Sequence, residues 1–232
     1  MAHKLSRITR LLVGAGFALA ASSSYAGLVL VSQTPFGGTG LGTVPTVLTI
    51  QNTGTETGSV AFNGTTDVIT GDAKIGNSQT LTRTITETGA TTAAALRIIF
   101  NASEPDSTIN LTNLVLQIFS ATGGVLFTSG AFTPPATFTN IPSGTGNSGF
   151  VFRLDAADAA SAQALAFSGN FGTNRIGLTA SATGSAGGNE TFFVSNGGVT
   201  GGGSNNVPEP APLGILALGL GLIYAMRRKQ SV

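Results

Sequence analysis

Carboxylates are the main side chains in the body of this chain from which an acid–base or metal site could be built. The 232 residues include ten Asp and Glu residues, no Cys and one His, which is His3 near the start of the chain. The body therefore lacks the side chains for a Ser-His-Asp triad, a Cys-His pair or a His/Cys zinc site. Two kinds of site remain open, a carboxylate pair for glycoside hydrolysis and a calcium site of carboxylates and carbonyls.

Most of these acids lie in local patterns that predict structural roles. Asp155 and Asp158 precede an alanine-rich stretch that ends near Phe167 and Gly169. This pattern predicts a helix with Asp155 as its N-cap, Asp158 in its first turn and Gly169 as its stop. Residues 104–107, Glu-Pro-Asp-Ser, form a predicted polar turn between two apolar runs.

Asp67 and Asp72 flank the segment Val68–Gly71, which predicts a short strand followed by a turn. No Asp-x-Asp-x-Asp-Gly ladder of calcium ligands follows them. We therefore predict no catalytic residue, no metal site and no cofactor site, and we expect that the protein is not an enzyme.

Short apolar stretches separated by Gly, Asn, Ser and Pro predict an all-β fold. An antiparallel β-sandwich with one short helix fits best, because parallel α/β folds need a helix after most strands and a β-helix needs a fixed period. Turns at 122–124 and at 183–189 each predict a hairpin. The predicted strands are Val47–Ile50, Leu81–Thr86, Ala95–Phe100, Leu114–Phe119, Val125–Phe127, Phe150–Leu154, Arg175–Ala180 and Thr191–Val194.

Phenylalanines on these strands are the predicted core, since each one removes a large apolar area from water. They are Phe100, Phe119, Phe127, Phe150, Phe152, Phe192 and Phe193.

The N-terminal end has the three parts of a secretory signal peptide. Three basic residues among the first ten precede the apolar run Leu11–Ala21, and small residues follow at Ser24 and Ala26. A signal peptidase reads small residues at these two positions. We predict cleavage between Ala26 and Gly27, which makes residues 1–26 the leader.

The C-terminal end combines a proline-rich break, an apolar run at Leu213–Met226 and the basic group Arg227-Arg228-Lys229. This order predicts a segment inserted in a membrane with its basic end in the cytoplasm. Fourteen helical residues span only about 21 Å, less than the roughly 30 Å hydrocarbon core, so snorkelling of the basic side chains would make up the difference. A single-pass tail anchor is the alternative interpretation.

The break itself is Val207-Pro208-Glu209-Pro210. With the apolar run and basic end that follow, it resembles the sorting signal of bacterial PEP-CTERM proteins, over about a tenth of the chain. The resemblance implies a Gram-negative bacterium that makes exopolysaccharide. It also implies export of the remaining chain and cleavage near Pro208–Pro210 by a transpeptidase-like membrane enzyme, exosortase. The Leu-Pro-x-Thr-Gly motif of a Gram-positive sortase signal is absent.

Removal of both ends changes the charge of what remains. The whole chain carries a net charge of +1, but six of its eleven basic residues lie in the two end segments. Residues 27–206 keep five basic and nine acidic residues, a net charge of −4. No basic patch survives, so nucleic acid is excluded as a partner. Disulfides are also excluded, even though an exported protein could form them.

The predicted organisation is therefore a leader at 1–26, a β-sandwich domain at 27–195, a Gly/Asn-rich linker at 196–206 and a sorting signal at 207–232. These features indicate an exported protein of the cell envelope, cell surface or extracellular matrix. We expect a structural or adhesive component associated with exopolysaccharide. Two alternatives remain, a carbohydrate-binding module on the sandwich and an acid-dependent hydrolase, although the body lacks Trp and Tyr for stacking on sugars.

Overall fold

The computed structural model of this chain describes residues 27–32, 45–76, 78–103, 108–132, 136–139 and 149–197. Strands are the main element in this part of the chain, and they form two antiparallel sheets with few helices. This arrangement confirms the predicted all-β class and is consistent with a sandwich. The predicted leader, most of the linker and the sorting signal lie outside the described residues.

The described part of the chain contains twelve strands and two α-helices. Two 3-10 turns, Ala93–Ala95 and Phe171–Thr173, complete the set. The helices are α1 (Ile85–Thr88) and α2 (Ala156–Ala166). The strands are β1 (Leu28–Ser32), β2 (Thr46–Ile50), β3 (Thr53–Phe62), β4 (Asp67–Gly71), β5 (Arg83–Thr84), β6 (Arg97–Asn101), β7 (Thr108–Phe119), β8 (Val125–Thr128), β9 (Ala136–Thr139), β10 (Phe150–Leu154), β11 (Arg175–Ala186) and β12 (Glu190–Ser195).

The two sheets differ in size and in how far their strands are separated along the chain. The five-stranded sheet has the order β1-β10-β6-β12-β2. The seven-stranded sheet has the order β4-β3-β11-β7-β8, with β5 also paired to β11 and β9 also paired to β7. Only β3–β4 and β7–β8 join strands that follow each other directly in the chain. Most of the pairing therefore depends on long-range contacts.

Phenylalanine side chains fill the space between the sheets. Phe100 stacks on Phe192 with 4.9 Å between ring centroids, and Phe138 packs on Phe150 at 4.0 Å. All seven phenylalanines predicted to be buried are buried. Phe193 belongs to a separate cluster with Ile99 and Val151. Since neighbouring strand residues point to opposite faces, this cluster lies on the side of the five-stranded sheet away from the core.

Helix α2 begins where the sequence predicted. The Asp155 carboxylate accepts the backbone N–H of Asp158 at 2.7 Å, as an N-cap does. The helix ends at Ala166, and Gly169, with a φ of +62°, follows three residues later. Ala162 and Ala166 face the main core, so this helix covers an end of the apolar layer.

The predicted strand at Leu81–Thr86 is wrong for most of its length. Only Arg83 and Thr84 are in a strand, and Ile85 begins helix α1. The reason is a capping box, in which the Thr84 hydroxyl accepts the Glu87 N–H at 3.3 Å and the Glu87 carboxylate accepts the Thr84 N–H at 2.7 Å. These local bonds end the strand and turn Ile85 into the core.

The predicted hairpin around 183–189 is also wrong. The strands on either side of it, β11 and β12, belong to different sheets. The chain passes from one sheet to the other here, where Gly187 adopts a φ of +93° and the Gln51 side chain donates to the Gly187 carbonyl at 2.8 Å. The hairpin predicted at 122–124 is confirmed, because β7 and β8 pair directly.

Candidate functional site

Gly27 is the only predicted site residue in the described part of the chain. The remaining ones lie outside it, and so does the predicted spanning segment 213–226. Within the described ranges, every helix is too short or too polar to span a membrane. The predicted site residues outside the described ranges are Ala26, Val207, Pro208, Glu209, Pro210, Arg227, Arg228 and Lys229.

Gly27 is buried against the first turn of helix α2. Its carbonyl accepts the Asp155 N–H at 2.9 Å, and the next residue, Leu28, pairs with Leu154 and is 1% exposed. The residue after the predicted cleavage point is therefore packed and hydrogen-bonded within the folded domain.

The backbone of Gly130 presses directly on Gly27. A Cβ placed on Gly27 would lie 1.9 Å from the Gly130 carbonyl oxygen, far inside van der Waals contact. Gly27 also has a φ of +48°, in the left-handed region that favours glycine. Both facts require glycine at this position.

The carboxylate of Asp158 also contacts Gly130. Its Oδ2 accepts the Gly130 N–H at 2.8 Å, and the side chain is buried. Burial raises the pKa of Asp158, the hydrogen bond from Gly130 opposes that rise, and the charge of Asp155 adds to it. We call these four residues, Gly27, Gly130, Asp155 and Asp158, the Gly27 seat.

The other described Asp side chains of the predicted candidate pairs also make structural contacts. Asp72 accepts the Asn52 side-chain amide and the Thr57 N–H, each at 2.9 Å. Asp67 accepts the Thr82 N–H at 3.1 Å. Among the described residues no group of three or more His, Cys, Asp or Glu side chains could hold a metal ion. Residues 104–107 lie outside the described part.

Two buried acids were missed by the sequence analysis. Glu56 on β3 and Glu190 on β12 are both fully buried, one in each sheet. The Glu56 carboxylate accepts the Asn52 N–H at 3.1 Å. Residues separated by an even number of positions along a strand point to the same face. Glu56 is four residues before the apolar Val60, and Glu190 is two before Phe192, so this alternation could have placed both acids on the inner face.

The outward side of strands β4, β3 and β11 is covered with hydroxyl groups. The Thr57 hydroxyl donates to Ser181 at 3.0 Å, and Ser59 and Thr70 share a hydrogen bond of 2.7 Å. These side chains are exposed or half-buried and carry no charge. We call this set the hydroxyl face, which comprises Thr55, Thr57, Ser59, Thr70, Thr179, Ser181 and Thr183.

The hydroxyl face was not predicted because strand β3 was not. Its sequence, Thr53–Phe62, contains two glycines and few large apolar residues, so it lacks the usual strand signal. A hydroxyl residue at every second position, from Thr53 to Ser59, is the pattern that could have revealed it.

A shallow depression of about 370 Å³ lies beside helix α2. Its polar side chains are Arg153, Asp155 and Gln163, and most of the rest are alanines of the helix. No aromatic ring lines it, although a sugar-binding pocket usually stacks a ring against the sugar. The depression therefore gives little support to a loop pocket for carbohydrate.

Comparisons of the chain with protein-family models, with curated proteins and with solved structures find no match. The functional argument consequently depends on the residues of this chain.

The tight contact at Gly27 gives a direct prediction. A Gly27→Ala substitution should destabilise the folded domain by about 1–3 kcal/mol, since the new Cβ must displace the Gly130 backbone. The measurement is the free energy of unfolding in urea. Gly169→Ala is the matched control, because Gly169 also has a positive φ but open space around it. Equal losses in the two variants would contradict the packing role of Gly27.

Proposed function

We propose that this chain is an exported bacterial protein of the cell envelope or extracellular matrix. Its C-terminal segment, which resembles a PEP-CTERM signal, directs it to an exosortase-type enzyme. The two-sheet domain is a structural or adhesive component associated with exopolysaccharide. The observation that carries this proposal is the order of the C-terminal features, from Val207-Pro208-Glu209-Pro210 through the apolar run to Arg227-Arg228-Lys229.

The positions of the first and last described strands support this division of the chain. Strand β1 begins at Leu28, two residues after Ala26, and strand β12 ends at Ser195, where the Gly/Asn-rich segment begins. Removal of the leader and the sorting signal would therefore leave both sheets complete.

The roles of the described acids favour a binding or structural protein over a hydrolase. Asp155 caps helix α2, and Asp158 is buried beside Gly130. A glycosidase needs two carboxyl groups that flank a bound sugar, one to donate a proton and one to attack or to activate water. Asp67 and Asp72 each accept a backbone N–H, so their described contacts are structural.

The hydroxyl face is the surface that best suits a neutral polysaccharide. Hydroxyl groups both donate and accept hydrogen bonds, as sugar hydroxyls do, and aligned strands present them in rows. Strands β3 and β11 each carry one of these rows. Their cross-strand partners are Thr179–Ser59, Ser181–Thr57 and Thr183–Thr55. An extended face of this kind fits a polymer better than a single sugar. The runner-up, a carbohydrate-binding module with a pocket on its loops, would instead give tight binding to short glycans.

Substitutions in the proline-rich break test the sorting proposal. A Pro208→Ala/Pro210→Ala variant in the native host should remain in the membrane fraction, because the processing enzyme no longer meets the bend it reads. The wild-type protein should leave that fraction. Pro212→Ala is the matched control and should behave as wild type. Release of the double variant at the wild-type level, or membrane retention of the wild-type protein with its tail, would contradict the proposal.

A second set of variants tests the hydroxyl face. Thr57→Ala, Ser59→Ala and Ser181→Ala together should weaken cosedimentation with exopolysaccharide of the host about tenfold, which corresponds to about 1.4 kcal/mol from three lost hydrogen bonds. The control combines Ser161→Ala, Ser168→Ala and Thr173→Ala, which are exposed outside this face. Equal binding by both triple variants and the wild type would exclude the hydroxyl face as the contact surface.

A further inference from the structure

The Gly27 seat holds a buried acid next to the residue that would become the N-terminus. We propose that removal of residues 1–26 creates an intramolecular ion pair between the new α-ammonium group of Gly27 and the carboxylate of Asp158. This inference depends on the proposed cleavage between Ala26 and Gly27. In the uncleaved chain the same nitrogen is a neutral amide, so the pair exists only after processing.

The contacts of the Gly27 seat bring Gly27 and Asp158 to the same residue, Gly130. The carbonyl of Gly27 is fixed by the Asp155 N–H at 2.9 Å, and Gly27 packs on the backbone of Gly130. The amide of that same Gly130 lies 2.8 Å from Oδ2 of Asp158. Gly27 and the Asp158 carboxylate therefore both contact Gly130, and both are buried. An ammonium group and a carboxylate that adjoin the same buried residue attract each other more strongly than they would in water.

The negative charges of Asp155 and Asp158 would favour a cation beside them. The Asp155 carboxylate is the one described charge that acts on Asp158, and it is of the same sign. Arg153, at the end of β10, is exposed and lines the depression that Asp155 also lines. An ammonium group at Gly27 would offset the two acids of the seat.

The pair would make the processed chain more stable than the leader-bearing chain at neutral pH. With an amide at Gly27, the raised pKa of Asp158 means that the folded state holds this proton more tightly than the unfolded chain does. The stabilising contribution is then present below the usual pKa of Asp and is lost as pH rises through the raised value. An ammonium group favours the charged carboxylate and opposes that loss.

The test measures the α-amine itself. The chain from Gly27 onward is released from a fusion by a protease that leaves Gly27 as the first residue, and the rate of α-amine acetylation is followed against pH. The Asp158 carboxylate should hold the amine protonated, so acetylation near neutral pH should be about fivefold slower in the wild type than in Asp158→Asn. Asparagine can still accept the Gly130 N–H, which preserves the contact. Glu87→Gln is the control and should match the wild type. Equal rates in wild type and Asp158→Asn would overturn the pair.

A second measurement covers the case in which Asp158→Asn does not fold. The free energy of unfolding of the chain that begins at Gly27 is compared with that of a chain that keeps Ala26, at about pH 4 and at about pH 7. The chain that begins at Gly27 should lose less stability between these pH values. The same loss in both chains would overturn the pair. Because both measurements use a defined N-terminus, they are independent of where the native host cleaves, which the mass of the native product decides separately.

Discussion

Burial of phenylalanine between two sheets is the constraint on which the rest of this structure depends. The chain has no cysteine, so no disulfide can replace packing, and most strand pairs join distant parts of the chain. Phe100 contacts both Phe150 and Phe192, and the three rings lie on three different strands of one sheet. Each such ring contributes a few kcal/mol at most before the entropy of ordering is subtracted, so the fold needs the whole cluster.

Some features of this structure could be predicted from the sequence, and others could not. The buried phenylalanines and the Asp155 cap were predictable because strand alternation and helix capping are local signals. The capping box at Thr84 and Glu87 was also local, but the apolar alternation around it favoured a strand. The segment between β11 and β12 could not be assigned in this way, since alternation shows which face is buried and not which sheet a strand joins. The buried Glu56 and Glu190 follow the inner-face spacing, but charged residues are rarely expected there.

The proposed function divides the chain into parts with different physical roles. In this proposal, export and sorting systems read the charge and apolar patterns of the two ends, while the body between them holds a fold with a hydroxyl face. Of the site residues predicted from the sequence, only Gly27 lies in the described part, and its surroundings were not predictable, since Gly130 is about a hundred residues away in sequence. The contact between these two glycines makes the residue that follows the predicted cleavage point a packed part of the fold.

The most direct test of the central claim, that both ends are removed and the body remains, is the intact mass of the protein isolated from its native host. The account predicts a chain that begins at Gly27 and ends near Pro208–Pro210, with or without an attached group at the new end. A mass that retains residues 1–26 or Leu213–Val232 would contradict it.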